Sequence, residues 1–581
     1  MLLGLAPGLM PAATGYLVRN LISDQAGVAD FTDPNLVNGW GIAISAASPF
    51  WICDGGTGLS TVYTASASAF SISATKAAIP PSSSGANKVC TGIIANSVST
   101  GFLVGPAPGR SPNFIFATEG GTISGWASAV DPLNAQMAID NSATGAVYKG
   151  LAQVGAPTSQ IYAANFKSGA IEVYDANWKA VTLAAGAFTD PAIPAGFAPF
   201  NIQNLSGKLY VTYAKQGATK VFDAPGVGNG YVSVYDVNGK LLQHLTEKGN
   251  LNSPWGIQIA PATFGRFGGA LLVGNFGDGM INAYDTTSGA WLGTLTDATG
   301  KNLVIDGLWG LQFGNGGSGG DVNSLYFAAG PSQQRHGLFG IVVSNPVITG
   351  NVVNAAQPGA EIAPNTFVSI QGGSLAPTTR TWATADFNGT NLPTSLDGVS
   401  VTVNGSPAYV YFVSPRQINF LTPANMSVGV PAQIVVNDGA LNSVTMSVPT
   451  AGFGPAFFLL GGKYAAAIHG SGKVVGPTTL VANNSTPAAA GETIALYATG
   501  LGNTTPGVAN GQVVTGAAPT AALPTVLIGA TQAQVTFAGL VSTGLYQINV
   551  VVPANAQSGD NAVTVSIGGF TSPVGALVAV Q

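Results

Sequence analysis

"LLVGNFGDGMINAYD", Leu271 to Asp285, and "IYAANFKSGAIEVYD", Ile161 to Asp175, are two copies of one pattern. Each runs as an apolar strand, a polar residue, a Gly-containing turn and an alternating strand that stops at Tyr-Asp. A period of two between turn residues is the mark of paired β-strands. Variants recur at "FWICDGGTGLSTVY" (50–63), "FIFATEGGTISGW" (114–126), "YVTYAKQ" with "GNGYVSVYD" (210–236) and "LYFAAGPSQQRHGLFGIV" (325–342). A second motif precedes most of them: "GWGIAIS" (39–45), "PWGIQIA" (254–260) and "LWGLQFG" (308–314), with looser forms "CTGIIAN" (90–96) and "PFNIQNL" (199–205). A small meander with two apolar faces is not stable alone and must stack on its neighbours. Radial stacking of such units gives a propeller. The repeats therefore predict an all-β chain whose residues 16–345 form a six-bladed β-propeller, with "YLVRNLISD" (16–24) lending an outer strand to the last blade.

Composition agrees. Only 7% of residues are charged, against roughly 25% in ordinary domains, while 79 Gly and 36 Pro supply turns between short apolar strands. The net charge of −5 is thinly spread and forms no basic stripe, which argues against a nucleic-acid partner. No apolar run is long enough to predict a transmembrane segment. "MLLGLAPGLMPAATGY" reads as the remnant of a secretory signal peptide over residues 1–15, with an apolar stretch followed by Ala12 and Ala13. A secreted, extracellular or cell-surface location is expected.

The N-terminal motifs carry a resemblance. "PFNIQNLSGKLYVTYAKQ", "SPWGIQIAPATFGRFGGALLVGNFGDGMINAYD" and "IDGLWGLQFGNG" resemble a family of exported bacterial propeller-type proteins of unknown function, over nearly all of residues 16–343. The resemblance implies the fold and export, and brings no activity with it.

Beyond residue 345 aromatic residues thin out and a duplication appears. "RQINFLTPAN" (416–425) matches "YQINVVVPAN" (546–555), inside longer parallels such as "LPTSLDGVSVTVNG" with "LPTVLIGATQAQVTFAG". Each copy predicts an immunoglobulin-like β-sandwich, one over 346–455 and one over 456–581. In both, Gln-Ile-Asn lies on a strand that stops at Pro, and its polar side chains are expected to be hydrogen-bond staples. "LPTSLDGVSVTVNGSPAYVYFVSPRQINFLTP" is similar to the tandem C-terminal module of exported acidobacterial (Solibacter-type) proteins, which implies a spacer or attachment role.

In a propeller, the ends of second strands and the starts of inner strands share one face. Asp54, Glu119, Asn165 and Asn275 fall just after second strands, and Asn38 and Asn252 just before inner strands. These six, with His336 in "GPSQQRHGLFG", are the candidate ligand-binding residues. Oxygen donors of this kind suit Ca²⁺, with Asp54, Glu119, Asn165 and Asn275 as metal candidates. Asp54, Glu119 and His336 are the catalytic candidates for a lactonase-like hydrolase or lyase. The competing expectation is that they cap turns around a water-filled channel. H-E-x-x-H, C-x-x-C and phosphate-loop signatures are absent from the sequence, and no G-x-S-x-G elbow is read, because the Gly-rich "GNGGSGGD" (314–321) follows a strand without opening a helix and reads as a loop. Cys53 and Cys90, the two cysteines, fall at the same mouth on adjacent blades, as a disulfide or as two buried thiols.

Low charge and tandem sandwiches favour a non-catalytic binding or scaffold protein, with a glycan or cell-surface component as ligand. The alternatives are the Ca-type hydrolase or lyase and, through strand addition at sandwich edges, self-assembly into an extracellular fibre.

Overall fold

Short runs of Val, Ile, Tyr, Phe and Trp fit a pleated, buried surface, and the Gly, Asn and Asp between them supply the turns. A computed structural model describes residues 15–65, 70–85, 88–297, 299–348, 352–376, 378–439, 441–443 and 445–581. Residues 1–14, nearly all of the expected signal remnant, lie outside the described residues. The structure is all-β apart from short helical turns. It divides into two compact units, one ending at Ser344 and one spanning Asn345–Gln581.

Among the described residues the N-terminal unit contains six sheets. Their innermost strands are Gly39–Ala43, Cys90–Ala95, Tyr148–Val154, Phe197–Leu205, Pro254–Ile259 and Leu308–Phe313. Each packs on the next in chain order, and Leu308–Phe313 packs back on Gly39–Ala43. The first, second, fourth and fifth sheets have four strands and the third has three. The sixth is completed by Tyr16–Ser23, which pairs antiparallel with Leu338–Ser344. The start of the described chain is thereby tied to the sheet that ends the unit, so opening the ring requires breaking a ladder.

Two local devices bring the inner strands together. All six carry a register shift near their start, and such bulges bend a strand and re-aim its side chains. Five then place a glycine against the neighbouring strand. A Cβ on Gly41 would lie 2.5 Å from the Thr91 carbonyl oxygen, one on Gly256 2.5 Å from that of Trp309, and one on Gly310 2.6 Å from that of Trp40. The obstacle is backbone, which cannot swing aside. Glycine is required there by close approach.

The core is distributed between sheets. Trp51 of the first sheet packs on Phe114 and Trp126 of the second, with ring centroids 4.5 and 4.6 Å apart. Similar layers fill the other gaps, and a separate cluster of Trp40, Phe166, Phe200, Trp255 and Trp309 sits among the inner strands. Cys53 and Cys90 form a disulfide between the first and second sheets, with Cα atoms 5.3 Å apart.

The C-terminal unit buries two separate apolar cores, one drawn from Val352 to Val448 and one from Phe457 to Val580. The duplicated segments take the same place in each. Gln417–Leu421 lies between Phe367–Gly373 and Tyr409–Val413, and Leu545–Val551 lies between Thr493–Thr499 and Thr531–Ser542. In one copy Gln417 Nε2 donates to Asn419 Oδ1 at 2.8 Å, and in the other Gln547 Nε2 donates to Asn549 Oδ1 at 2.8 Å. The shared Gln-x-Asn is a staple along the strand.

Candidate functional site at the axial mouth

The bulge positions of the six inner strands present Trp40, Thr91, Lys149, Phe200, Trp255 and Trp309. Five of the six inner strands continue with Gly, and the fourth continues with Asn201. Trp40 stacks on Trp309 at 3.7 Å, Phe276 stacks on Trp309 at 3.9 Å, and Trp255 meets both tryptophans edge-on. Polar tips stitch neighbouring strands. Trp255 Nε1 donates to the Lys149 carbonyl (3.0 Å), Asn201 Nδ2 to the Trp255 carbonyl (2.9 Å) and Thr91 Oγ1 to the Tyr148 carbonyl (2.8 Å). The ring's centre at this end is thus filled by aromatic rings, with Trp255 Nε1 facing backbone and Trp309 Nε1 facing the Asn38 side chain.

Lys149 is the exception in charge. Its side chain is 2% exposed, and its ammonium is hydrogen-bonded to Glu119, itself 6% exposed. The ammonium lies 4.9 Å from the Trp40 ring and 5.6 Å from that of Phe222, within the range of cation–π attraction. Phe222, 58% exposed, belongs to the loop that also brings Asp223. Burial pushes the Asp223 carboxyl up, while the Ser253 hydroxyl and the Lys149 ammonium pull it down. A buried cation therefore pairs with Glu119 beside the exposed Phe222 ring, and its charge also acts on the Asp223 carboxyl.

The residues selected from the sequence occupy this end of the unit, but each is held by a different set of partners. Asn38 is buried at φ 52°, accepts from Trp309 Nε1 (3.2 Å) and donates to Gln334 Oε1 (3.1 Å). Asn165 donates to Glu172 Oε1 (2.7 Å) and accepts from the Val147 amide (3.2 Å). Asn252 and Asn275 do come together: Asn275 Oδ1 accepts from the Asn252 amide (3.1 Å), and both side chains donate to Asp278. His336 Nδ1 is 2.8 Å from Asp24 Oδ2 and its Nε2 is 3.3 Å from Gln25 Nε2. Asp54 bonds within its own sheet, Oδ2 accepting from the Thr61 amide at 3.0 Å. Among the described residues no three His, Cys, Asp or Glu side chains form a group able to hold a metal ion. The three catalytic candidates engage different neighbours: Asp54 meets Thr61, Glu119 meets Lys149 and His336 meets Asp24.

The loop carrying His336 is unusual. Ser332, Gln333 and Gln334 all have positive φ (58°, 59° and 66°), a left-handed turn that costs non-glycine residues roughly 1–2 kcal/mol each. Both ends of the turn are held. The Asp306 carboxylate accepts from the Ser332 amide (2.8 Å), and the Asn38 amide donates to the His336 carbonyl (3.0 Å). Strain of this kind persists only where surrounding contacts over-determine the backbone.

Asp54 gives a pH prediction. It is wholly buried, and burial holds its carboxyl well above the ordinary aspartate range despite the Thr61 hydrogen bonds. The folded state then binds this proton more tightly than the unfolded state. Stability contributed by Asp54 is full below the unfolded value, about 3.9, and is lost as pH rises through the folded value. Asp54→Asn is expected to flatten that fall and raise the melting temperature at neutral pH. Superimposable melting-temperature profiles for the two proteins would rule this out.

Three residues escaped sequence reading: Lys149, Asp223 and Phe222. Lys149 lies in "VYKGLAQV", where Lys takes the place held by Trp, Phe or Thr in sister strands. The x-Gly step at Thr91-Gly92, Lys149-Gly150 and Trp255-Gly256 is the signal that identifies it. Phe222 and Asp223 lie in an irregular loop with no repeat to flag them.

The geometry defines a class: an all-β protein with a propeller-like ring of sheets, followed by β-modules. A model described as IPT/TIG domain matches residues 383–448, within the first C-terminal core. The chain is 33% identical over 343 residues to "Uncharacterized protein R648" of Acanthamoeba polyphaga mimivirus, covering 58% of this chain and 82% of that one. It is 33% identical over 353 residues to "Uncharacterized protein L690" of the same virus, covering 58% and 88%. The chain belongs to this family. A solved streptogramin B lyase structure is similar at a TM-score of 0.35 and 10% identity, covering 57% of this chain and 98% of that one. No helix among the described residues is long and apolar enough to cross a membrane.

Proposed function

We propose that this is a secreted binding and scaffold protein in which a six-bladed β-propeller recognises a glycan or another cell-surface ligand at its axial mouth, and two immunoglobulin-like sandwiches act as stalk or attachment. The observation that carries the reading is the Glu119–Lys149 pair beside Asp223, fixed under the exposed Phe222 ring. Fixed charges of both signs beside an aromatic face suit a polar ligand with an apolar side. The cyclic packing of six inner strands supports the propeller, and the two cores with their repeated Gln-x-Asn staple support two sandwiches.

The test is a cell-surface glycan array probed with the intact protein and with Phe222→Ala and Asp223→Asn. Phe222 is exposed and Asp223→Asn is isosteric, so folding should survive, as circular dichroism can verify. Affinity for a captured glycan should fall about ten-fold or more in each variant. Affinities equal to the parent's would remove the mouth from consideration.

A further inference from the structure

We propose a second, lateral binding site for a neutral hexopyranose unit, centred on Trp291 at the outer strand of the fifth sheet. It goes beyond the mouth reading and does not depend on it. Trp291 begins the strand Trp291–Thr294 and is 53% exposed, whereas Trp40, Trp51, Trp126, Trp255 and Trp309 are all buried. The half-exposed indole keeps one edge fixed in the sheet and leaves apolar ring surface open to a ligand.

Its surroundings are built. Asn282, 1% exposed, accepts from Trp291 Nε1 at 3.4 Å and from Thr294 Oγ1 at 2.7 Å, and donates to the Asn250 carbonyl at 3.2 Å. A buried amide thus fixes the edge of the ring. Beside it opens a cavity of about 510 Å³ lined by Asn250, Asp278, Asn302 and Arg266 as well as Trp291. That volume lies within the range of small-ligand pockets, roughly 300–1,000 Å³. Asp278 is held in place: its Oδ1 accepts from the Met280 amide at 3.0 Å, and its Oδ2 from Asn252 at 3.1 Å. Asn302 Nδ2 reaches only the Met280 sulfur, at 3.7 Å, among the described residues, and sulfur is a weak acceptor.

A pyranose ring matches this arrangement group by group. Its C–H face covers an indole, removing apolar surface from water, while equatorial hydroxyls both donate and accept. Carboxylate and amide oxygens take hydroxyl hydrogens, and amide and guanidinium N–H groups serve the hydroxyl oxygens. A flat apolar partner would cover Asn302 and Arg266 without supplying hydrogen bonds, which is costly.

The experiment is affinity electrophoresis of the full chain through gels containing hydroxyethylcellulose, soluble starch, mannan or galactan. Retardation is expected with at least one polymer, with affinity about ten-fold weaker in Trp291→Ala and an intermediate loss in Trp291→Phe. The tryptophan fluorescence change on adding that polymer should disappear in Trp291→Phe. Phe222→Ala should leave this binding intact. No retardation by any of the four polymers, or equal retardation of parent and Trp291→Ala, overturns the site. Binding lost in Phe222→Ala but kept in Trp291→Ala also overturns it, while leaving the mouth reading standing.

Discussion

Replacing Lys149 by methionine is expected to destabilise the N-terminal unit by about 3–5 kcal/mol, the loss typical of breaking a buried ion pair from one side. Methionine fills most of the lysine's volume, so packing against Trp40 and Phe200 changes little. What changes is charge. Glu119 is left in a site where its side chain is 6% exposed, and Asp223, already pushed up by burial, loses the cation that partly offsets it. The penalty should deepen as pH rises, because burial already pushes the Asp223 carboxyl up and its ionisation then lacks the offsetting cation. Glu119→Gln added to Lys149→Met removes the stranded charge and should recover much of the loss. Urea midpoints for the parent, the two single variants and the double variant form a cycle that isolates the pair. A Lys149→Met cost below about 1 kcal/mol would show that the pair is solvated, and would remove the preorganised charge on which the mouth reading rests.

The buried pair also marks the boundary of what a sequence can show. Strand pattern is legible because burial on both faces, turn chemistry and repetition all point the same way. The twin Gln-x-Asn segments are legible for the same reason, and their staples occur with the same geometry in both copies. Side-chain direction at the mouth is not. A bulge re-aims the side chain, and "VYKGLAQV" taken alone does not separate Lys149 from Tyr148; only alignment of its x-Gly step with Thr91-Gly92 and Trp255-Gly256 does. The polar residues after second strands can be found by position, yet their partners are local: Thr61 for Asp54, Glu172 for Asn165, Asp278 for Asn275. Only Glu119 reaches across to the neighbouring sheet's inner strand, and that depends on Lys149. Trp291 cannot be singled out from "GAWLGTL" because an outer strand shows alternation without saying which face has a neighbour.

Trp309→Ala is expected to cost about 3–5 kcal/mol, the range for removing a large buried aromatic side chain. Trp309 is 1% exposed, stacks on both Trp40 and Phe276, and touches Phe200 and Trp255. Truncation opens a cavity where four inner strands meet, and the backbone there cannot collapse inward because the glycine contacts already bring strand to strand. A second effect separates this from simple loss of volume. Trp309 Nε1 donates to Asn38 Oδ1, and Asn38 in turn holds Gln334 and, through its amide, the His336 carbonyl. Without the indole, the left-handed turn at Ser332–Gln334 loses part of what over-determines it. Hydrogen exchange at the amides of Asn38 and Gln334 should therefore accelerate beyond what global destabilisation explains, whereas the Gln-x-Asn strands of the C-terminal unit should not change. Trp309→Phe keeps a stacking ring but no N–H, so it should cost less stability and still speed exchange at Asn38. Equal exchange in all three proteins would separate the aromatic plug from the loop, and leave the strained turn supported by Asp306 and Asp24 instead.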